Sequence, residues 1–134
     1  MVMMNNYTIE LRVRYKETDQ MGLVYYANYL VWFEIARTEF FRAGGIEYRK
    51  MEEEDKIYMP VVEAYCRYRS PLRYDDLVKV TVKLADVGKT RVTFDYEVRS
   101  GGELKATGST NHAFLNGKGK PIPVPAMVRE VFSG

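Results

Sequence analysis

The sequence predicts an α+β fold in which a five-stranded antiparallel sheet wraps around one long central helix. Three observations carry this expectation. Period-two runs of apolar residues recur at the start and through the second half of the chain, one helical apolar period occupies 27–43, and turns of only a few residues join the later strands. With 134 residues, 46% hydrophobic and 28% charged, the chain has the size and balance of one domain, 1–134, built on one core.

The elements follow in order. Tyr7, Ile9, Leu11, Val13 and Tyr15 alternate with Thr8, Glu10, Arg12 and Arg14, so a first strand turns one face inward. Over 27–43, Tyr29, Trp32, Phe33, Ala36, Phe40 and Ala43 share a helical face opposite Glu34, Thr38 and Arg42, and Gly44-Gly45 ends the helix. Val31, Ile35 and Phe41 flank the polar stripe, so this helix should be largely enclosed. A short polar helix over 47–54 precedes a long strand over 57–69, whose alternation slips at Val61-Val62 beside Pro60, as at a bulge. Three alternating runs complete the sheet: Val78, Val80, Val82, Leu84; then Val92, Phe94, Tyr96, Val98; then Leu104, Ala106, Gly108, Thr110, His112, Phe114. The turns at 86–90 and 100–102 have hairpin length, and a loop with Pro121, Pro123 and Pro125 leads to a last short helix at 126–132.

Composition narrows the function. The 20 basic and 18 acidic residues are scattered, for a net charge of +2, which argues against nucleic acid as the main partner. Cys66 has no second cysteine to bridge to, and with His112 the only histidine there are too few soft ligands for a zinc site, so no metal and a reducing compartment are expected. The amino terminus lacks the basic-then-apolar pattern of a secretory signal, and no uncharged run reaches the ~18 residues of a membrane span. The expected location is cytoplasmic, with no membrane span.

The chemistry concentrates near Asp19. From Gln20 to Phe33 no side chain is charged, so Asp19 stands at the edge of an aromatic segment where an ionised group is costly unless paired or used. The helix start beyond it offers amides without intrahelical acceptors at the positive end of the macrodipole. Gly22 would allow a positive φ or a close backbone approach. A carboxylate beside such amides suits attack on a carbonyl, while Thr18-Asp19 also reads as a turn cap. Asn28 reads first as an N-cap and second as a group orienting Asp19 or a water. Tyr25 and Tyr26 are candidates to line a pocket; Tyr29, Trp32 and Phe33 read as core. Glu34, three residues before Arg37, suggests a surface ion pair or, in an oligomer, a carboxylate meeting a partner's pocket. Lys89 and Arg91, in the hairpin Gly88-Lys89-Thr90-Arg91, could hold phosphates or form a solvated turn. His112 reads as a packed histidine.

The run Tyr15-Lys16-Glu17-Thr18-Asp19-Gln20-Met21-Gly22-Leu23-Val24-Tyr25-Tyr26-Ala27-Asn28-Tyr29, followed by Trp32-Phe33-Glu34-Ile35-Ala36-Arg37, resembles the signature of hot-dog-fold acyl-CoA thioesterases. The closest groups are the hydroxybenzoyl-CoA thioesterase family and the small thioesterases associated with the Tol-Pal system. The resemblance implies the hot-dog fold and cofactor-free hydrolysis of an acyl thioester carried by coenzyme A or an acyl-carrier protein. It implies that Asp19 attacks the thioester or activates water while the amide of Tyr26 polarises the carbonyl. The Tol-Pal-associated members usually carry histidine where this chain has Tyr26, and the hydroxybenzoyl type has tyrosine. A homodimer or homotetramer with its site between protomers is implied too, and unpaired sheet edges favour the same association. The alternatives are a non-catalytic acyl-CoA-binding module and an acyl-thioester hydratase or dehydratase, for which only His112 is available.

Overall fold

In the computed structural model, which describes residues 5–132, the chain runs through β1 (Asn6–Arg12), α1 (Asn28–Ala43), α2 (Tyr48–Glu53), β2 (Val61–Tyr68), β3 (Leu77–Val87), β4 (Arg91–Ser100), β5 (Glu103–Ala113) and α3 (Ala126–Phe132). The five strands form one antiparallel sheet in the order β1-β3-β4-β5-β2. Alternation buries Val78, Val80 and Val82 of β3 with Val92, Phe94, Tyr96 and Val98 of β4, and α1 lays Trp32, Phe33, Ala36, Phe40 and Phe41 on that face. This is the hot-dog architecture. Phe33 stacks on Tyr96 with ring centroids 4.2 Å apart. A Cβ at Gly108 would overlap the Phe33 ring and stand 2.7 Å from the Tyr65 carbonyl, so glycine is required beneath that ring.

Several sequence expectations are corrected. The first strand ends at Arg12 instead of continuing to Tyr15, because Glu17 bonds back to the Arg14 amide at 2.7 Å and draws Tyr15–Glu17 into a 3₁₀ turn. Tyr15 is therefore exposed. The long strand begins at Val61, not residue 57, since Pro60 has no N–H to donate and Tyr58 makes only an isolated bridge to Leu115. Its register shifts between Val61 and Glu63, where the slip in alternation stood. Helix α1 is not enclosed: the sheet covers one side only, and Leu30, Val31 and Ile35 are exposed on the other.

Glu34 and Arg37 do not pair at the surface. Arg37 lies one turn beyond Phe33, shares its inward face, and is only 7% exposed. Its Nη1 donates to the Tyr96 hydroxyl at 3.0 Å, which is 2.6 Å from Thr110 Oγ1, itself 2.8 Å from His112 Nε2. His112 Nδ1 lies 3.4 Å from the Met59 carbonyl. The lone histidine is fully buried within this network.

Candidate active site

The segment between the 3₁₀ turn and α1 closes on itself around Asp19. The Asp19 amide donates to the Leu23 carbonyl at 2.8 Å and the Gly22 amide to the Asp19 carbonyl at 3.0 Å. Gly22 has φ +77°, in the left-handed region that side chains enter only with strain. Asp19 Oδ1 accepts from the Met21 and Leu23 amides at 2.9 and 3.2 Å. Among the described residues Oδ2 accepts no hydrogen bond, and the side chain is exposed. Half of the carboxylate thus orients the group while the other half stays available.

This loop rests on Glu17, whose carboxylate is buried and accepts from the Arg14 amide, Arg14 Nη2 and Trp32 Nε1 at 2.7, 3.2 and 2.9 Å. Burial alone would push this carboxyl up; the three donors and the Arg14 charge outweigh that and hold it below the usual range. The Glu17 carbonyl accepts from the Tyr25 amide and from Asn28 Nδ2, both at 2.8 Å. Asn28 is therefore not the N-cap: Ala27 holds that position without a side-chain cap, and Asn28 spends its amide on the preceding turn. The amides of Tyr26 and Ala27 make no hydrogen bond among the described residues, which leaves the head of α1 open to an acceptor.

Asp19, Tyr26, Tyr29, Tyr68, Arg69 and Ser70 border one open cleft of about 330 Å³. Tyr68 packs its ring edge against Tyr29 and donates its hydroxyl to the Tyr26 carbonyl at 3.0 Å. Burial pushes the Tyr29 phenol up to about 12 and the Tyr68 phenol up as well, so both remain protonated near neutral pH. Tyr25 leans on Tyr26 with centroids 4.6 Å apart and does not border this cleft. A larger depression, about 510 Å³, lies on the outer sheet face among Thr81, Asp95, Thr107 and Ser109, away from Asp19.

The structure brings Asp19, Gly22, Tyr26 and Asn28 together and leaves three other candidates apart. Glu34 is exposed and borders neither the Asp19 cleft nor the adjoining depression under Tyr15 and Tyr74. Lys89 and Arg91 lie at the opposite end of the sheet: Leu23 bridges to Arg73 just before β3, and the 11 residues of β3 separate that end from the hairpin. At about 3.3 Å per residue the separation is roughly 35 Å. Sequence reasoning missed Glu17, Tyr68, Arg69 and Ser70. For Glu17 the signal was its place inside the motif; for the others there was none, because pairing of β2 with β5 delivers that wall of the cleft. Among the described residues no cluster of His, Cys, Asp and Glu could hold a metal ion, and no helix is long and apolar enough to cross a membrane.

Comparison with known proteins agrees with this fold. A DHNA-CoA thioesterase from Staphylococcus aureus is 34% identical in sequence and superposes with a TM-score of 0.85, over 90% of this chain and 81% of that one. The acyl-CoA thioesterase YbgC of Haemophilus influenzae is 29% identical over 96% of this chain and 95% of its own. The 4-hydroxybenzoyl-CoA thioesterase fold, at 22% identity, superposes with a TM-score of 0.90 over 97% of this chain and all of the other. The sequence profile of the Thioesterase-like superfamily matches residues 13–132, nearly the whole chain, and the protein belongs to that superfamily.

Proposed function

We propose that the cleft beside Asp19 hydrolyses an acyl-CoA thioester to a carboxylic acid and the free thiol. The reaction class is supported by the superfamily and by relatives named for acyl-CoA hydrolysis. Asp19 Oδ2 attacks the carbonyl carbon or takes a proton from attacking water, and the Tyr26 amide donates to the carbonyl oxygen as negative charge develops there. The sulfur leaves and is protonated as the thiol; where Asp19 itself attacks, water then cleaves the Asp19–acyl anhydride, which releases the carboxylic acid and restores the carboxylate. One observation carries the assignment: the unengaged carboxylate oxygen and the open amide belong to residues that border the same cleft.

The site is shared between two copies of the chain. Strand β2 is a sheet edge with Val61, Val62, Tyr65 and Tyr68 exposed, a surface suited to antiparallel pairing with a second β2. A two-fold axis across β2 lays the far end of the second sheet beside the Asp19 end of the first. The Lys89 and Arg91 hairpin of the second copy then lies about three strand spacings away, roughly 15 Å, within reach of coenzyme A phosphates.

Replacing Asp19 with Asn tests the reading. With thiol release measured on aromatic, short, branched and long acyl-CoA substrates, kcat should fall by roughly 10² to 10⁴ while sedimentation is unchanged. Hydrolysis near the parental rate would leave Asp19 a turn cap. Mixing Asp19→Asn chains with Lys89→Ala/Arg91→Ala chains, assayed well below KM, should restore activity through mixed oligomers that hold one intact site. Rates equal to the sum of the two parents would sink the shared site.

A further inference from the structure

The only buried carboxylate among the described residues is Glu17, 4% exposed, and it belongs to no step of the reaction above. An ionised group is costly to bury, and its ion-pair partner Arg14 is itself 60% exposed, a weak return for that cost. What the burial achieves is geometric. The side chain reaches Trp32 Nε1 in the second turn of α1, and the main-chain carbonyl holds the Tyr25 amide and the Asn28 side chain at the head of the same helix. Asp19 follows two residues later, in a loop whose own anchorage is slight: Val24 is its one buried residue, joined to the Leu72 carbonyl at 2.9 Å.

We infer that Glu17 is the positioning residue of this site, the clamp that sets the distance between the Asp19 carboxylate and the Tyr26 amide. The inference rests on the proposed role of Asp19. Both reacting groups sit on backbone that Glu17 ties down, one on the chain leaving it and one on the helix it grips. Loosening the clamp lets the two drift independently, and a displacement near 1 Å costs about 10²-fold in rate. Substrate affinity, which depends on the cleft walls and the phosphate contacts, is untouched.

The test uses Glu17→Gln, which keeps the length of the side chain but replaces one acceptor by an N–H₂ that faces an N–H donor. The expected result is a kcat lower by 10- to 100-fold with KM within about twofold. In an Asp19→Asn background, adding Glu17→Gln should lower the residual rate no further, because Glu17 acts through Asp19. A purely structural role predicts the opposite in both measurements. Val128→Ala, which opens space at a buried position in α3, serves as a control with a comparable fall in Tm and should keep full kcat. If Glu17→Gln does not fold, Trp32→Phe, which keeps a ring and deletes the donor to Oε2, should give the same kcat-against-KM split at smaller size.

A Glu17→Gln enzyme with parental kcat overturns the inference, as does the same loss in Val128→Ala or a multiplicative loss on top of Asp19→Asn. Failure of the underlying reading looks different: Asp19→Asn itself would then be active. An inactive Asp19→Asn beside a fully active Glu17→Gln removes only the clamp.

Discussion

Two polar groupings lie at different points along the same helix and meet opposite fates. At the head of α1, Asp19 spends one carboxylate oxygen on backbone amides and leaves the other unbonded, in an exposed loop. Under the middle of α1, Arg37, Tyr96, Thr110 and His112 form a chain with little or no exposure. That chain has one consistent polarity. If His112 Nδ1–H faces the Met59 carbonyl, Nε2 accepts from the Thr110 hydroxyl, Thr110 accepts from Tyr96, and Tyr96 accepts from Arg37. Arginine, tyrosine, threonine and histidine would suggest catalysis if met in a cleft; here they are a strut. The buried groups spend most of their bonding capacity on one another, with Arg37 Nε the exception, whereas half of the exposed Asp19 carboxylate is left free for the role proposed for it.

The widest contrast comes from deleting one group in each place. Asp19→Asn should lower kcat by roughly 10² to 10⁴ and move Tm by no more than about 2 °C, since the side chain is exposed. Thr110→Val keeps the shape but leaves the Tyr96 O–H without an acceptor and His112 Nε2 without a donor; at ~1–3 kcal/mol for each unsatisfied group, Tm should fall by roughly 10 °C with kcat intact. Loss of kcat in Thr110→Val at an unchanged Tm, read by calorimetry beside steady-state assays, would break the comparison.

Acid sharpens it further. Burial, then the Arg37 charge, push His112 down to about 4 from its ordinary 6.5. Between these values the unfolded chain binds a proton that the folded chain refuses. The contribution to stability is complete above pH 6.5, erodes as the pH falls towards 4, and amounts to about 3 kcal/mol over that range. Denaturant midpoints measured from pH 7 to 5 should slope accordingly in the parent and flatten in His112→Gln. An equal slope in both proteins would mean that His112 is not the titrating group.

The smallest effect belongs to the far hairpin. Lys89→Ala/Arg91→Ala should raise KM for an acyl-CoA about tenfold at constant kcat and leave an acyl-pantetheine substrate unaffected, the pattern of lost uniform binding. Equal losses on both substrates would count against phosphate binding there.

How much of this was legible follows from how local each cause is. The inward faces of β3 and β4 and the Trp32–Phe33–Ala36–Phe40 face of α1 were readable, because alternation and helical spacing act within a few residues. Gly22 and Asp19 were readable for the same reason: their loop closes within five residues. Arg37 was not, since a Glu34–Arg37 spacing looks the same whether it faces water or the sheet, and the hydroxyl that claims Arg37 is 59 residues away. Glu17 was hidden because nothing near it in sequence announces the Trp32 indole 15 residues later. The distance from Asp19 to Lys89 and Arg91 emerges only when β3 has a direction and a length.

Gly108 has a reach beyond its own strand. The Phe33 ring occupies the space a side chain would fill there, so the height of α1 above the sheet is set by an atom that is missing. Tyr26 rides at the head of that helix, and Tyr68 rides on β2 opposite Ala106, two residues along β5 from Gly108. Packing at residue 108, which does not itself border the cleft, therefore bears on how far apart Tyr26 and Tyr68 stand: the gauge of the cleft is a gap.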